Sequence, residues 1–207
     1  TMPFKKDPFG LPVVVLSALV LTAAAVNYFW LAWNCQPPVD DEAVHLLSAL
    51  NYRDILAAPS PDLWTRLGRV DHIYPPLFPF LAAGLSLFFG QDTTLFFCMT
   101  NVLFMAGTFL ALYFIGLRLG NRWSGVLASA FLISYPMFFH LNRMFMLELA
   151  LTCLVSVTIT LLIYSDGFQK RGLSLLAGIA AGLGLLTKQS FIVFLVGPAG
   201  FFLCYPL

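Results

Sequence analysis

PPLFPFLAAGLSLFFG, residues 75–90, is the stretch on which the layout of this 207-residue chain turns. It is apolar from end to end, yet it is shorter than the roughly 20 apolar residues a helix needs to cross a bilayer. Its three prolines, Pro75, Pro76 and Pro79, crowd the first turns, where a helix can begin but where the backbone entering it is forced to extend. Such a segment either crosses obliquely or lies along the membrane surface, and the choice sets the side on which everything after it falls.

The runs on either side settle the class. Leu11–Trp33, Thr93–Leu117, Trp123–Phe139, Met146–Tyr164, Leu173–Thr187 and Phe191–Leu207 are long and apolar enough to count as spans. The chain is 59% hydrophobic and 10% charged, against about 25% charged in an ordinary soluble domain. A water-soluble fold of this size, burying only about 70% of its surface, could not hide so much apolar area. The expected fold is an all-α polytopic membrane protein with about six transmembrane helices.

Charge parity then decides residues 75–90, because short cytoplasmic loops collect Lys and Arg. If the segment does not cross, Lys5, Lys6, Arg118, Arg122, Lys170 and Arg171 all fall on one side, opposite the acidic stretch from Asp40 to Asp71. If it crosses, they are split. The first arrangement predicts a cytoplasmic N-terminus, a first span at 11–33, an extracytoplasmic loop over 34–92 carrying interfacial helices, and five further spans over 93–207. A net charge of +1 gives no basic field for nucleic acid. The scattered Cys35, Cys98, Cys153 and Cys204 form neither a metal motif nor a disulfide framework. The apolar run at 11–33 is too long for a signal-peptide core and lacks its cleavage pattern.

Within the loop, PPVDDEAVHLLSALNYRDI opens an amphipathic helix: Asp40 suits its N-cap, Asp41 and Glu42 suit the positive end of its dipole, and Val44, Leu47, Leu50 and Ile55 form an apolar stripe. Charges near membrane depth are costly, about 2.5–3.5 kcal/mol each, which makes those that persist candidates for function. Arg143 and Glu148, in FFHLNRMFMLELALT, and Lys188, in GLLTKQSF, lie at turns on the same side as the acidic loop. Each also has a plainer explanation, as a boundary marker, a snorkelling cation or a structural pair. His45 reads as a packed or solvated ring; His140, beside Asn142 and Arg143, is a better candidate; His72 and Tyr74 could belong to a tight Pro-stabilised turn. A carboxylate at a helix start with cations nearby suits group transfer from an anionic lipid carrier, the carboxylate taking the acceptor proton and the cation meeting the charge that builds on a leaving phosphate.

As a set, in order, DDEA, YPPLFPFLAAGLSLFFG, RMFMLELAL and GLGLLTKQSF resemble the membrane glycosyltransferases of the C-type (GT-C) superfamily, and within it the protein O-mannosyltransferase and lipid A aminoarabinose transferase branch. The resemblance covers the chain as the N-terminal portion of such an enzyme, and the ending FFLCYPL reads as a boundary inside a longer protein. It implies a polyprenyl (undecaprenyl or dolichyl) phosphate-linked sugar as donor, a lipid, glycan or protein hydroxyl as acceptor, and a membrane location, for a bacterium the plasma membrane. Asp41 matches the family's catalytic base, with Glu42 beside it and with Asp40 leaving the register open by one. Glu148, following Arg143, matches an acidic position that is usually Asp and that orients the donor or shares a divalent cation (Mg, Mn or Zn) with Asp41. Lys188 matches a lysine for the carrier phosphate, and Tyr74, Pro75 and Pro76, with His72 just before them, match the segment shaping the loop near the substrate. A small transporter or flippase and a non-catalytic scaffold are the competing readings; the gathering of ionisable groups at one face, with no evident inverted repeat, favours the transferase.

Overall fold

The computed structural model describes residues 10–34, 36–71 and 73–204, and every element among them is helical. Eleven helices follow in order: α1 Leu11–Trp33, α2 Asp40–Ala57, α3 Leu63–Leu67, α4 Leu77–Phe89, α5 Thr94–Met99, α6 Asn101–Leu119, α7 Arg122–Ser134, α8 Pro136–Leu141, α9 Leu147–Tyr164, α10 Arg171–Leu185 and α11 Phe191–Cys204. Lys5, Lys6, Cys35 and His72 lie outside the described residues.

This is an all-α membrane protein. Three helical stretches, Leu11–Trp33, Thr94–Leu119 and Leu147–Tyr164, are long and apolar enough to cross a bilayer. The remaining apolar helices are shorter than the six-span expectation supposed. α10, with 15 residues, reaches about 22 Å at 1.5 Å per residue, less than the ~30 Å hydrocarbon core. The run expected over Trp123–Phe139 is two helices, because Pro136 has no N–H to give and Tyr135 before it is extended, with ψ 118°. Asn121 starts the first of the two by accepting the N–H groups of Trp123 and Ser124 on its side-chain oxygen.

The bundle has two distinct ends. At one, Arg118 and Lys170 both hold Asp166 at 2.6 Å, and the Tyr164 hydroxyl donates to the Phe114 carbonyl. At the other lie the C-terminus of α1, the start of α9 and the α10–α11 turn, where Arg143, Glu148 and Lys188 sit. Both ends of α4 belong to this second end. Its first N–H, of Leu77, donates to the Leu186 carbonyl at 3.0 Å, where α10 finishes. Just past its last residue Asp92 meets Arg53 of α2 at 3.4 Å. Residues 75–90 therefore run beside α2 in the same direction, from the His45–Tyr74 contact to the Arg53–Asp92 pair.

The α2 helix corrects two sequence expectations. Asp40 is its first residue, at φ +50°, and the N-cap is Val39, with no side-chain cap. The buried face carries His45, Leu46, Ser48, Ala49, Tyr52 and Ile55, while Val44 and Leu47 of the expected stripe are 43% and 60% exposed. The pattern misled because half of the inward positions are polar. Beneath α2, Phe78, Phe97 and Phe145 stack into the core with ring centroids 4.5–5.6 Å apart, a geometry worth about 0.5–1.5 kcal/mol per pair beyond the area buried.

Candidate functional site

Asp41 stands exposed in the first turn of α2, and its Oδ1 accepts the Tyr74 hydroxyl at 3.3 Å. Tyr74 is brought there by Asp71. That carboxylate accepts the Ile73 and Tyr74 N–H groups on Oδ1 at 2.8 and 3.1 Å, and the Ser48 hydroxyl on Oδ2 at 3.2 Å, pinning the turn before α4 to the flank of α2. The Tyr74 ring then meets His45 edge-on, centroids 4.6 Å apart. Burial and the neighbouring Asp41 carboxylate push the Tyr74 phenol above its ordinary value, so it keeps its proton and remains a donor.

His45 is 2% exposed and its Nδ1 has no hydrogen-bond partner. Burial holds its pKa below the usual histidine value, against the pull of Asp41, Glu148 and Asp71, so the ring is neutral near neutral pH.

Lys188 arrives through a tight turn. Its N–H and that of Thr187 both donate to the Gly184 carbonyl, and the Phe191 ring fills the space that a side chain at 184 would take. Its Nζ reaches Glu148 Oε1 at 2.6 Å, both side chains about a third exposed. Glu148 Oε2 is buried without a partner. Glu148 thus pairs with Lys188, forty residues on, and not with Arg143.

Arg143 and Glu42 face elsewhere. Glu42 Oε1 accepts the Phe145 N–H at 2.9 Å and lies 3.7 Å from the Cys98 thiol, clamping α2 to the α8–α9 connection. Arg143 donates from Nε to Asn27 Oδ1 of α1 at 3.1 Å, with its guanidinium 4.8 Å from the Trp30 ring and 4.0 Å from Phe139. Glu42, Arg143 and His140 line a cavity of about 550 Å³ that Asp41 and Lys188 do not reach.

The expected single convergence is therefore two neighbouring places, divided by the first turn of α2: Asp41, Tyr74, Glu148 and Lys188 around His45, and Glu42 with Arg143 at the cavity. Ser48 and Asp71 escaped sequence reasoning because their hydrogen bond joins residues 23 apart, which nothing in a single sequence pairs. Asn27, fully buried, carried a signal as the one amide in a 23-residue apolar helix. Among the described residues no three His, Cys, Asp or Glu side chains gather to hold a metal ion. Of the two carboxylates expected to share a cation, Asp41 accepts the Tyr74 hydroxyl and Glu148 pairs with Lys188.

A family model described as Dolichyl-phosphate-mannose-protein mannosyltransferase matches residues 72–207, about two thirds of the chain. Asp41, Glu42 and His45 precede the matched range. No curated protein and no solved structure matches.

Proposed function

The chain belongs to the dolichyl-phosphate-mannose-protein mannosyltransferase family, and from that premise we propose that it moves a sugar from a polyprenyl phosphate donor to a hydroxyl acceptor, with Asp41 as general base. The observation that carries the reading is the grouping of an exposed carboxylate, Asp41, with the Tyr74 hydroxyl and the Lys188–Glu148 pair around the neutral His45.

In this reading the acceptor hydroxyl gives its proton to Asp41 as its oxygen bonds to the anomeric carbon, while the bond from that carbon to the phosphate oxygen breaks and the carrier phosphate leaves with the electron pair. Tyr74 holds the Asp41 carboxylate in place. Lys188 lies close enough to the cluster to meet charge developing on the phosphate, where the low dielectric strengthens the attraction. The free Oε2 of Glu148 is an acceptor suited to a sugar hydroxyl. We place this end of the bundle on the extracytoplasmic face and the N-terminus in the cytoplasm, since Arg118 and Lys170 gather at the opposite end. The bacterial plasma membrane is the proposed location.

The test is transfer from a panel of polyprenyl phosphate sugars in membranes carrying the full-length protein, wild type against Asp41→Asn and Asp40→Asn. Asp41→Asn should lower turnover by about a hundred- to ten-thousand-fold, the usual worth of a positioned base. Loss with Asp40→Asn alone would move the base by one residue. Equal turnover in all three would leave Asp41 without the role and favour a scaffold.

A further inference from the structure

A second cavity, of about 560 Å³, lies further along α2, enclosed by Tyr52 of α2, Trp64 of α3 and Phe80 of α4. The Tyr52 and Phe80 rings stand nearly perpendicular, at 81° with centroids 5.7 Å apart, and form a corner. Trp64 supplies a third ring, 82% exposed. Leu67, Leu77 and Leu186 line much of the rest.

The one charged group in this wall is Asp71. It accepts the Ile73 and Tyr74 N–H groups on Oδ1 and the Ser48 hydroxyl on Oδ2, bonds that keep it ionised and leave Oδ2 with acceptor capacity to spare. Among the described residues no Lys or Arg pairs with it. Arg53 pairs with Asp54 and Asp92, and Lys188 with Glu148. Arg66 and Arg69 line a separate cleft with Asp54, and Arg66 donates to the Ser60 hydroxyl there at 3.1 Å. A carboxylate without a counter-ion, beside three rings, attracts a cation and repels an anion, and the ring faces add to the attraction.

The cavity adjoins the transfer cluster. Asp71 and Pro76 bracket Tyr74 in the chain, and Leu186 stands two residues before Lys188. The bond from the Leu77 N–H to the Leu186 carbonyl ties these two walls together at 3.0 Å. A ligand held here rests against the same backbone that places Tyr74 and Lys188. Around Trp64 the chain exposes Asp62, Thr65 and Arg69, so the mouth faces water, the side from which a protein arrives.

We infer that this cavity binds an ammonium group on an apolar stem, the side chain of a lysine close to the acceptor hydroxyl of a protein substrate. The hydroxyl end of that substrate rests on the transferase reading; the lysine end does not. The four-carbon stem lies along the leucines, and the ammonium meets Asp71 and the ring faces.

The probe is a threonine peptide with a single lysine, moved one position at a time through the four residues on either side of the threonine. Its affinity is measured on the purified full-length protein in a maltoside detergent. At one or two spacings lysine should bind about tenfold tighter than norleucine, which keeps a stem without the charge, and glutamate should bind more weakly than either. Asp71→Asn keeps an oxygen for the Ile73 and Tyr74 N–H groups and should bring lysine to the norleucine value. Trp64→Ala leaves the bonds of that turn intact and should do the same, which guards against an Asp71 variant that misfolds. Asp41→Asn should keep the lysine preference while losing turnover, so failure of the base assignment and failure here read differently; a preference that persists in a protein transferring no sugar leaves the cavity assigned and the transferase reading refuted. Lysine and norleucine binding alike at every spacing, or no peptide binding at all, would overturn the inference. So would a preference unchanged in both Asp71→Asn and Trp64→Ala. Loss of the preference on adding phosphatidylethanolamine would give the cavity to a lipid amine and overturn the protein assignment.

Discussion

Replacing Gly125 with Ala tests whether the bundle is as tightly crossed as described. Gly125 of α7 lies against the backbone of α6, so an added Cβ would sit 2.5 Å from Tyr113 Cα and 2.7 Å from the Leu112 carbonyl oxygen. Ordinary carbon contacts need about 3.5–4.0 Å, and neither obstacle is a side chain that can swing away. The helices would have to part by about 1 Å, loosening the packing of Val126 and Tyr113 in the core below. Overpacking of this kind costs about 1–3 kcal/mol, offset by the ~1 kcal/mol by which Ala is the better helix former. The net loss of up to about 2 kcal/mol corresponds to a fall of at most roughly 4–8 °C in Tm for a chain of this size. Gly178→Ala, in the middle of α10, is the control: no atom lies within 4 Å of its added Cβ, so the same substitution should leave Tm unchanged or raise it. Thermal unfolding in one detergent reads both. A Gly125→Ala protein melting at or above wild type, with Gly178→Ala no different, refutes the close crossing.

Three further outcomes follow from the site. In a double-mutant cycle, Glu148→Gln and Lys188→Met should couple by about 1–3 kcal/mol in unfolding stability, between the values of exposed and buried pairs, because both side chains are about a third exposed; additive losses would mean the pair contributes nothing. Glu42→Gln keeps an acceptor for the Phe145 N–H and should retain most stability, whereas Glu42→Ala strands that part-buried donor at about 1–3 kcal/mol; equal melting temperatures for the two variants would remove the clamp. Burial raises the Asp71 carboxyl, but the Ile73 and Tyr74 N–H groups and the Ser48 hydroxyl outweigh it and hold the pKa below the ordinary value. Asp71 thus contributes stability that is present above about pH 4 and is lost as pH falls through the lowered pKa, so Asp71→Asn should flatten the acid limb of a stability–pH curve; an unchanged limb would argue against the turn.

How far the sequence could be read depended on the range of each interaction. The bounds of α1 follow from uninterrupted hydropathy, a property of composition along the chain. The inward face of α2 was not legible: a stripe of Val44 and Leu47 is what an aqueous helix would bury, whereas next to lipid those residues can stay outside and His45, Ser48 and Tyr52 can pack inward. The partners of the ionisable groups were hidden for another reason. Arg143 finds Asn27 across 116 residues and Glu148 finds Lys188 across forty, and nothing in a single sequence chooses between Arg143 and Lys188 as the partner of Glu148. That these charges share one end was readable; that the first turn of α2 divides them was not.

The bond from the Phe145 amide to Glu42 is made by the main chain at residue 145, and this gives the connection between α8 and α9 the character of a ruler. Adding or removing one residue along 142–146 shifts that amide by a whole backbone unit and draws the head of α2 with it. A substitution that keeps the buried Phe145 ring should be borne more lightly by the orientation of Asp41 than a change of length.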